Sequence, residues 1–120
     1  MSVRTQRVAK LLQREIAAVL AFEVPQELMV TVTRTQVSRD LSIAYVHVSL
    51  MGATKEQRQM AFARLRQRVP QVRGALGRRI RHQMRAVPEV RFFLDESLDY
   101  ASRMDSLIAA IRAERAQREA

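Results

Sequence analysis

Nine arginines and a single carboxylate, Glu89, fall between Arg64 and Arg91, a net of +8 in a chain whose total is +9. Of the 21 basic residues in the chain, all but Lys10 and Lys55 are arginine. Arginine presents a planar fork of N–H donors that matches a phosphate and can also stack on a base. A merely solvated surface interleaves both signs, whereas a block of one sign on one element is the footprint of a polyanionic partner. The chemistry this spacing offers is capture of a phosphate backbone.

Bond-making chemistry finds little support. There is no cysteine, so disulfides and cysteine–zinc sites are excluded. No Gly-rich phosphate loop occurs, and no His/Asp/Glu grouping has metal-ligand spacing, so neither a cofactor nor a metal is expected. His47 reads as a sheet-surface residue and His82 as one more polar residue of the basic block. Asp95, Glu96 and Asp99 look like paired carboxylates, but they crowd a helix start, where the dipole favours negative charge. Tyr45, Phe92 and Phe93 sit on strands, where base stacking is one use and core packing the expected one. No catalytic residue is assigned.

The elements that must hold the arginines follow from periodicity. A first helix is predicted over Val3–Phe22, with Val8, Leu12, Ile16 and Val19 on one face and Arg4, Arg7, Lys10 and Arg14 on the other. Pro25 ends it. Leu28–Val37 and Leu41–Leu50 read as strands joined by the polar turn Ser38–Asp40, an antiparallel hairpin; Ala44, Val46, Val48 and Leu50 alternate against Ile43, Tyr45, His47 and Ser49. Thr54 to Gln57 is a capping-box pattern, and Met60, Phe62, Leu65 and Val69 supply the apolar side of the helix it opens.

Pro70 suits the first turn of a third helix, which is predicted to reach about Arg85. Leu76, Ile80 and Met84 stack at spacing four, opposite Arg78, Arg81, His82 and Arg85. Continued backwards, that helix would put Arg73 on the apolar side, and Gly74 and Gly77 predict a kink that frees it. Gly74-Ala75-Leu76-Gly77, followed by Arg78 and Arg79, is also a literal GxxG at a helical junction, where small residues admit a nucleic-acid backbone. Val90–Asp95 reads as a third strand. Ser97 caps a last helix over Leu98–Arg112, with Leu98, Ala101, Leu107, Ile108 and Ile111 as its stripe. The order α-β-β-α-α-β plus a C-terminal helix makes an α+β fold, a three-stranded sheet with helices on one face. Residues 1–112 form one domain and 113–120 a polar tail expected to fray.

Certain strings resemble the ribosome-binding factor A family. They are Arg7-Val8-Ala9 with Glu15-Ile16, Thr31-Val32-Thr33, Val37-Ser38-Arg39-Asp40-Leu41-Ser42, and Ala44 to Ser49. Arg73 to Arg78, Arg85 to Phe92 and Asp95-Glu96-Ser97 continue the match, which spans about residues 3–112 in family order. The resemblance implies a type II KH fold whose helical junction is an Ala-x-Gly kink, filled here by Ala75-Leu76-Gly77. It implies a monomeric, non-enzymatic assembly factor that binds free 30S small ribosomal subunits, assists late maturation of 16S rRNA and supports growth in the cold. Further partners are expected among other assembly factors or GTPases.

The residues expected to contact RNA are Arg4, Arg7, Lys10, Arg14, Arg73, Arg78, Arg79, Arg81, His82 and Arg85, around the kink Gly74–Gly77. An architectural, nucleoid-type DNA-binding protein would carry a similar charge, but no helix-turn-helix or minor-groove arm is evident. The segment Met1–Phe22 is Arg-bearing and amphipathic, as a mitochondrial presequence would be, yet its apolar spacing suits a core helix. With no secretory signal and no apolar run long enough for a membrane span, a cytoplasmic location away from membranes is expected.

Overall fold

The computed structural model describes residues 2–25, 29–52, 54–96 and 107–117. Its elements are α1 (Val3–Glu23), β1 (Thr31–Val37), β2 (Ile43–Ser49), α2 (Lys55–Gln67), α3 (Val69–Ile80) and β3 (Glu89–Leu94). A further helix, α4, covers residues 107–117. The α+β order expected from the sequence, that of a type II KH domain, is the order found.

Strand order is β1-β2-β3. β1 and β2 pair antiparallel, while β3 lies parallel to β2 with Ala44 opposite Val90 and Val46 opposite Phe92. A parallel neighbour cannot be reached by a hairpin; α2 and α3 form the crossover. The alternation of β2 is the clearest link from sequence to packing. Ala44, Val46 and Val48 are fully buried and Leu50 nearly so, facing Leu12, Ile16, Leu65, Val72, Leu76 and Ile80 of the helix layer. Burying each such Leu or Ile side chain is worth about 1.5–3 kcal/mol.

The β1–β2 turn is built by side chains. Asp40 Oδ1 accepts from the Ser38 hydroxyl at 2.9 Å, the Ser42 hydroxyl at 2.7 Å and the Ser42 N–H at 3.1 Å. Ser38 Oγ in turn accepts from the Ile43 N–H at 3.0 Å, and Leu41 takes a left-handed φ of 63°. The Ser-Arg-Asp-Leu-Ser string is thus a turn whose polar side chains replace missing backbone partners. The hydroxyls of Ser42 and Ser38 hold the Asp40 carboxyl below its ordinary pKa.

Several expectations are corrected. β1 carries a bulge at Thr33, since Val32 pairs with Val48 and Arg34 with His47. The extra residue flips the alternation, so Val32 faces the core before it and Thr35 and Val37 after it. Helix α2 has its capping box, with Thr54 and Gln57 each accepting from the other's backbone N–H, but Met60 is exposed and lies off the apolar face. The predicted cap Ser97 and the stretch 98–106 lie outside the described residues. α4 continues to residue 117, past the predicted boundary, and Leu107, Ile108 and Ile111 are 43–54 % exposed. These three residues of the predicted stripe are not among those packed on the core.

Candidate nucleic-acid interface

The α2–α3 junction is a single residue, Arg68, with φ −92° and ψ 1°. Pro70 stands in the first turn of α3, where its missing N–H costs nothing. From Val69 the helix runs unbroken to Ile80 through Gly74 and Gly77, and no glycine has a positive φ. The helices therefore part at Arg68 and not at Gly74–Gly77 as predicted, and no helix N-terminus opens at the glycines. Arg73 does not need a kink there. Its Nε and Nη2 donate to the carbonyls of Pro88 and Val87 at 3.3 and 3.0 Å.

The glycines do something else. Three apart, they share one face of α3. A Cβ on Gly77 would stand 3.0 Å from Val87 Cγ2, so the missing side chain lets the segment before β3 approach. A Cβ on Gly74 would meet only Arg78 Nη1, at 3.9 Å. The result is a shallow, open depression of about 700 Å³ floored by Gly74, Gly77 and Val87 and rimmed by Arg73, Arg78 and Arg81. The signal was in the sequence as small residues at i and i+3.

α3 also ends earlier than expected. Ile80 O accepts from both Gln83 and Met84 N–H, closing a turn after the helix. Arg81 caps the helix, and His82 and Arg85 lie in the connection to β3, off the helical face assigned to them. The turn is required because Met84 and Val87 must reach the core and Pro88 is fully buried. Arg78, Arg81, His82 and Arg85 are all exposed.

Two junctions bring α1 to this surface. Arg4 and Arg85 line one depression of about 500 Å³ between the start of α1, the β1–β2 turn and the segment after α3. Ala86 lines both depressions, so the two adjoin there. At the second junction, Arg79 Nε donates to Glu15 Oε2 at 2.6 Å, and Arg14 Nε lies 3.6 Å from the same carboxylate. The hydrogen bond from Arg79 is the main cause of a Glu15 pKa below the ordinary value. Arg7 and Lys10 stand exposed on α1, with no ion pair or hydrogen bond among the described residues.

The arginines thus divide. Arg73 and Arg79 are held by the protein, whereas Arg4, Arg78, Arg81 and Arg85 line two adjoining depressions with their guanidiniums uncommitted among the described residues. Such donors suit the oxygens of a phosphodiester chain. Among the described residues, no group of three or more His, Cys, Asp or Glu is placed to hold a metal, and no helix is long and apolar enough to cross a membrane.

Fold and surface together define a small α+β domain of KH type with a cationic, grooved face. Residues 4–108 match the ribosome-binding factor A family, and the chain belongs to it. It is 39% identical over 118 residues to ribosome-binding factor A of Pelodictyon phaeoclathratiforme, covering 98% of both chains. The Chlorobium limicola factor is 41% identical over 113 residues, covering 93% of this chain and 94% of the relative. The crystal structure of ribosome-binding factor A from Thermus thermophilus superposes with a TM-score of 0.60 at 26% identity, over 75% of this chain and 94% of that one. A homology model of the Thermus thermophilus factor, fitted into a cryo-EM map of a 30S complex, has the same fold, with a TM-score of 0.59 at 23% identity, over 75% of this chain and 93% of that one.

Proposed function

We propose that this protein is a non-enzymatic assembly factor that works in the cytoplasm. It binds free 30S subunits and assists the late maturation and processing of 16S rRNA, with its greatest effect in the cold. The observation that carries this reading is the division of the arginines. A fold that commits Arg73 and Arg79 to its own carbonyls and carboxylate yet leaves Arg4, Arg78, Arg81 and Arg85 along two adjoining depressions has a surface built for a polyanion. Family membership selects ribosomal RNA among polyanions, and the 30S complex named for the Thermus thermophilus relative supports the small subunit as the particle.

Maturation then works by occupancy. A domain that holds phosphates of a late intermediate stabilises that RNA conformation over competitors, with no covalent step. The test is competition at physiological salt. Purified protein is sedimented with free small subunits in the presence of excess random duplex DNA. Retention on the subunits is expected; displacement onto the DNA would favour an architectural DNA-binding role instead.

A further inference from the structure

The sheet has a second face that the cationic groove does not use. Outward positions of a half-exposed sheet are normally polar. Here they carry three rings. Phe93 is 43% exposed, and its ring lies 5.4 Å from His47 in a stacked arrangement, with planes 27° apart, and 6.1 Å from Tyr45. No described element packs on them.

Strand register arranges the rings in two rows across the sheet. Arg34 pairs with His47 and His47 with Phe93; one pleat away, Gln36 pairs with Tyr45 and Tyr45 with Arg91. Each row therefore joins aromatic surface to one arginine, at opposite edges of the sheet. Arg34 Nη2 lies 3.4 Å from His47 Nε2. Arg91 forks onto Glu89 at 3.2 and 3.3 Å, an exposed pair whose opening costs little. Beyond the rings the surface is bounded by Asp95, whose carboxylate accepts from the Thr33 hydroxyl at 2.6 Å.

We propose that this face of the sheet, which no described element covers, is a second nucleic-acid site, a platform on which consecutive unpaired nucleotides of RNA stack, one on Phe93 and His47 and the next on Tyr45. Rings supply stacking surface that any base can use, and Arg34 and Arg91 supply phosphate contacts on either side. A duplex keeps its base faces internal, so the platform selects single strands. The proposal rests on the RNA-binding reading above and adds a separate surface, opposite the helices. With the grooved face on one RNA segment and the sheet on an unpaired one, a single domain bridges two parts of an immature subunit.

The test uses a labelled single-stranded RNA hexamer of mixed sequence and a hairpin duplex of matched composition, titrated by fluorescence anisotropy. Phe93→Ala and Tyr45→Ala are each expected to weaken hexamer binding about tenfold or more, from the range for losing one stacked base. Phe93→Tyr should retain it. Two phosphate contacts predict a shallow salt slope of roughly −1 to −2 for the hexamer. The Arg78→Ala/Arg81→Ala/Arg85→Ala protein should still bind the hexamer, which separates this site from the groove. Melting curves establish that the ring variants are folded. The platform is refuted if the wild-type protein binds no hexamer while still sedimenting with subunits. It is equally refuted if hexamer binding disappears in the triple-arginine protein and survives in Phe93→Ala, or if the duplex binds the same face as tightly.

Discussion

Arg79 reaches across from α3 to donate its Nε proton to Glu15 of α1 at 2.6 Å. The bond fastens the two helices that carry the cationic surface, and it removes one arginine from the set available to RNA. Glu15 has its pKa lowered by that hydrogen bond, and Asp40 by the hydroxyls of Ser42 and Ser38. A carboxyl with a lowered folded pKa contributes stability at neutral pH that disappears as pH falls through the carboxylate range, about pH 4 and below. Glu15→Gln should therefore flatten the acid limb of a Tm-against-pH curve relative to the unaltered protein. Parallel curves would show that the pair contributes nothing.

The glycines of α3 give a paired prediction. Gly74 lies mid-helix, and a Cβ there would make only an ordinary 3.9 Å contact with Arg78, so Gly74→Ala should stabilise by about 0.5–1 kcal/mol through reduced chain entropy. Gly77→Ala has the same propensity gain but must displace Val87 from 3.0 Å, so it should gain less or lose. Gly77→Val adds a β-branch to that collision and should cost a few kcal/mol. Equal Tm shifts for the two alanine variants would show that Val87 does not constrain the site.

Thr35 follows the bulge and is buried, with no partner for its hydroxyl among the described residues. Removing an unpaired buried hydroxyl while keeping side-chain shape is neutral or stabilising. Thr35→Val should raise or preserve the Tm in thermal denaturation, whereas Val46→Thr, the reverse change at a fully buried neighbour, should cost about 1–3 kcal/mol.

How far the fold was legible in the sequence depended on what each signal encodes. Strict alternation located β2 and its buried set, and the Thr54–Gln57 box located the start of α2, because both are local patterns with one structural solution. The end of α3 was misplaced because Arg81 keeps helical dihedrals, φ −57° and ψ −25°, as the chain turns. Met84 thus stays in step with Leu76 and Ile80 although the helix has stopped. The bulge at Thr33 is masked because Thr31, Thr33 and Thr35 keep the period-two pattern running through it; only Val37, out of parity with Val30 and Val32, marks the shift. The cationic block was evident, but not its division. That Arg73 would bind the carbonyls of Val87 and Pro88, and Arg79 the carboxylate of Glu15, depends on contacts 14 to 64 residues apart. Tyr45 and Phe93 were expected in the core; pleat parity puts them on the open face, and only Phe92 of the pair on β3 is buried.

Affinity for the small subunit should be dominated by phosphate contacts. If about five arginines each neutralise one phosphate, log K should fall with log salt with a slope of roughly −3 to −5. Binding measured across a salt series checks this, and a slope near zero would remove the electrostatic basis of the interface.

The central claim is that the exposed arginines around α3 bind and do not fold the protein. Arg78, Arg81 and Arg85 are exposed, and Leu76 and Ile80 on the other side of the helix are fully buried. Replacing exposed charges usually moves stability by less than about 0.5 kcal/mol per site, whereas Ile80→Ala should cost about 2–5 kcal/mol as a core truncation. The Arg78→Ala/Arg81→Ala/Arg85→Ala protein should melt close to the unaltered one and fail to sediment with free small subunits on a sucrose gradient. A folded triple variant that still travels with the subunit at normal affinity would contradict the account, because the grooved face of α3 would then not be the binding surface.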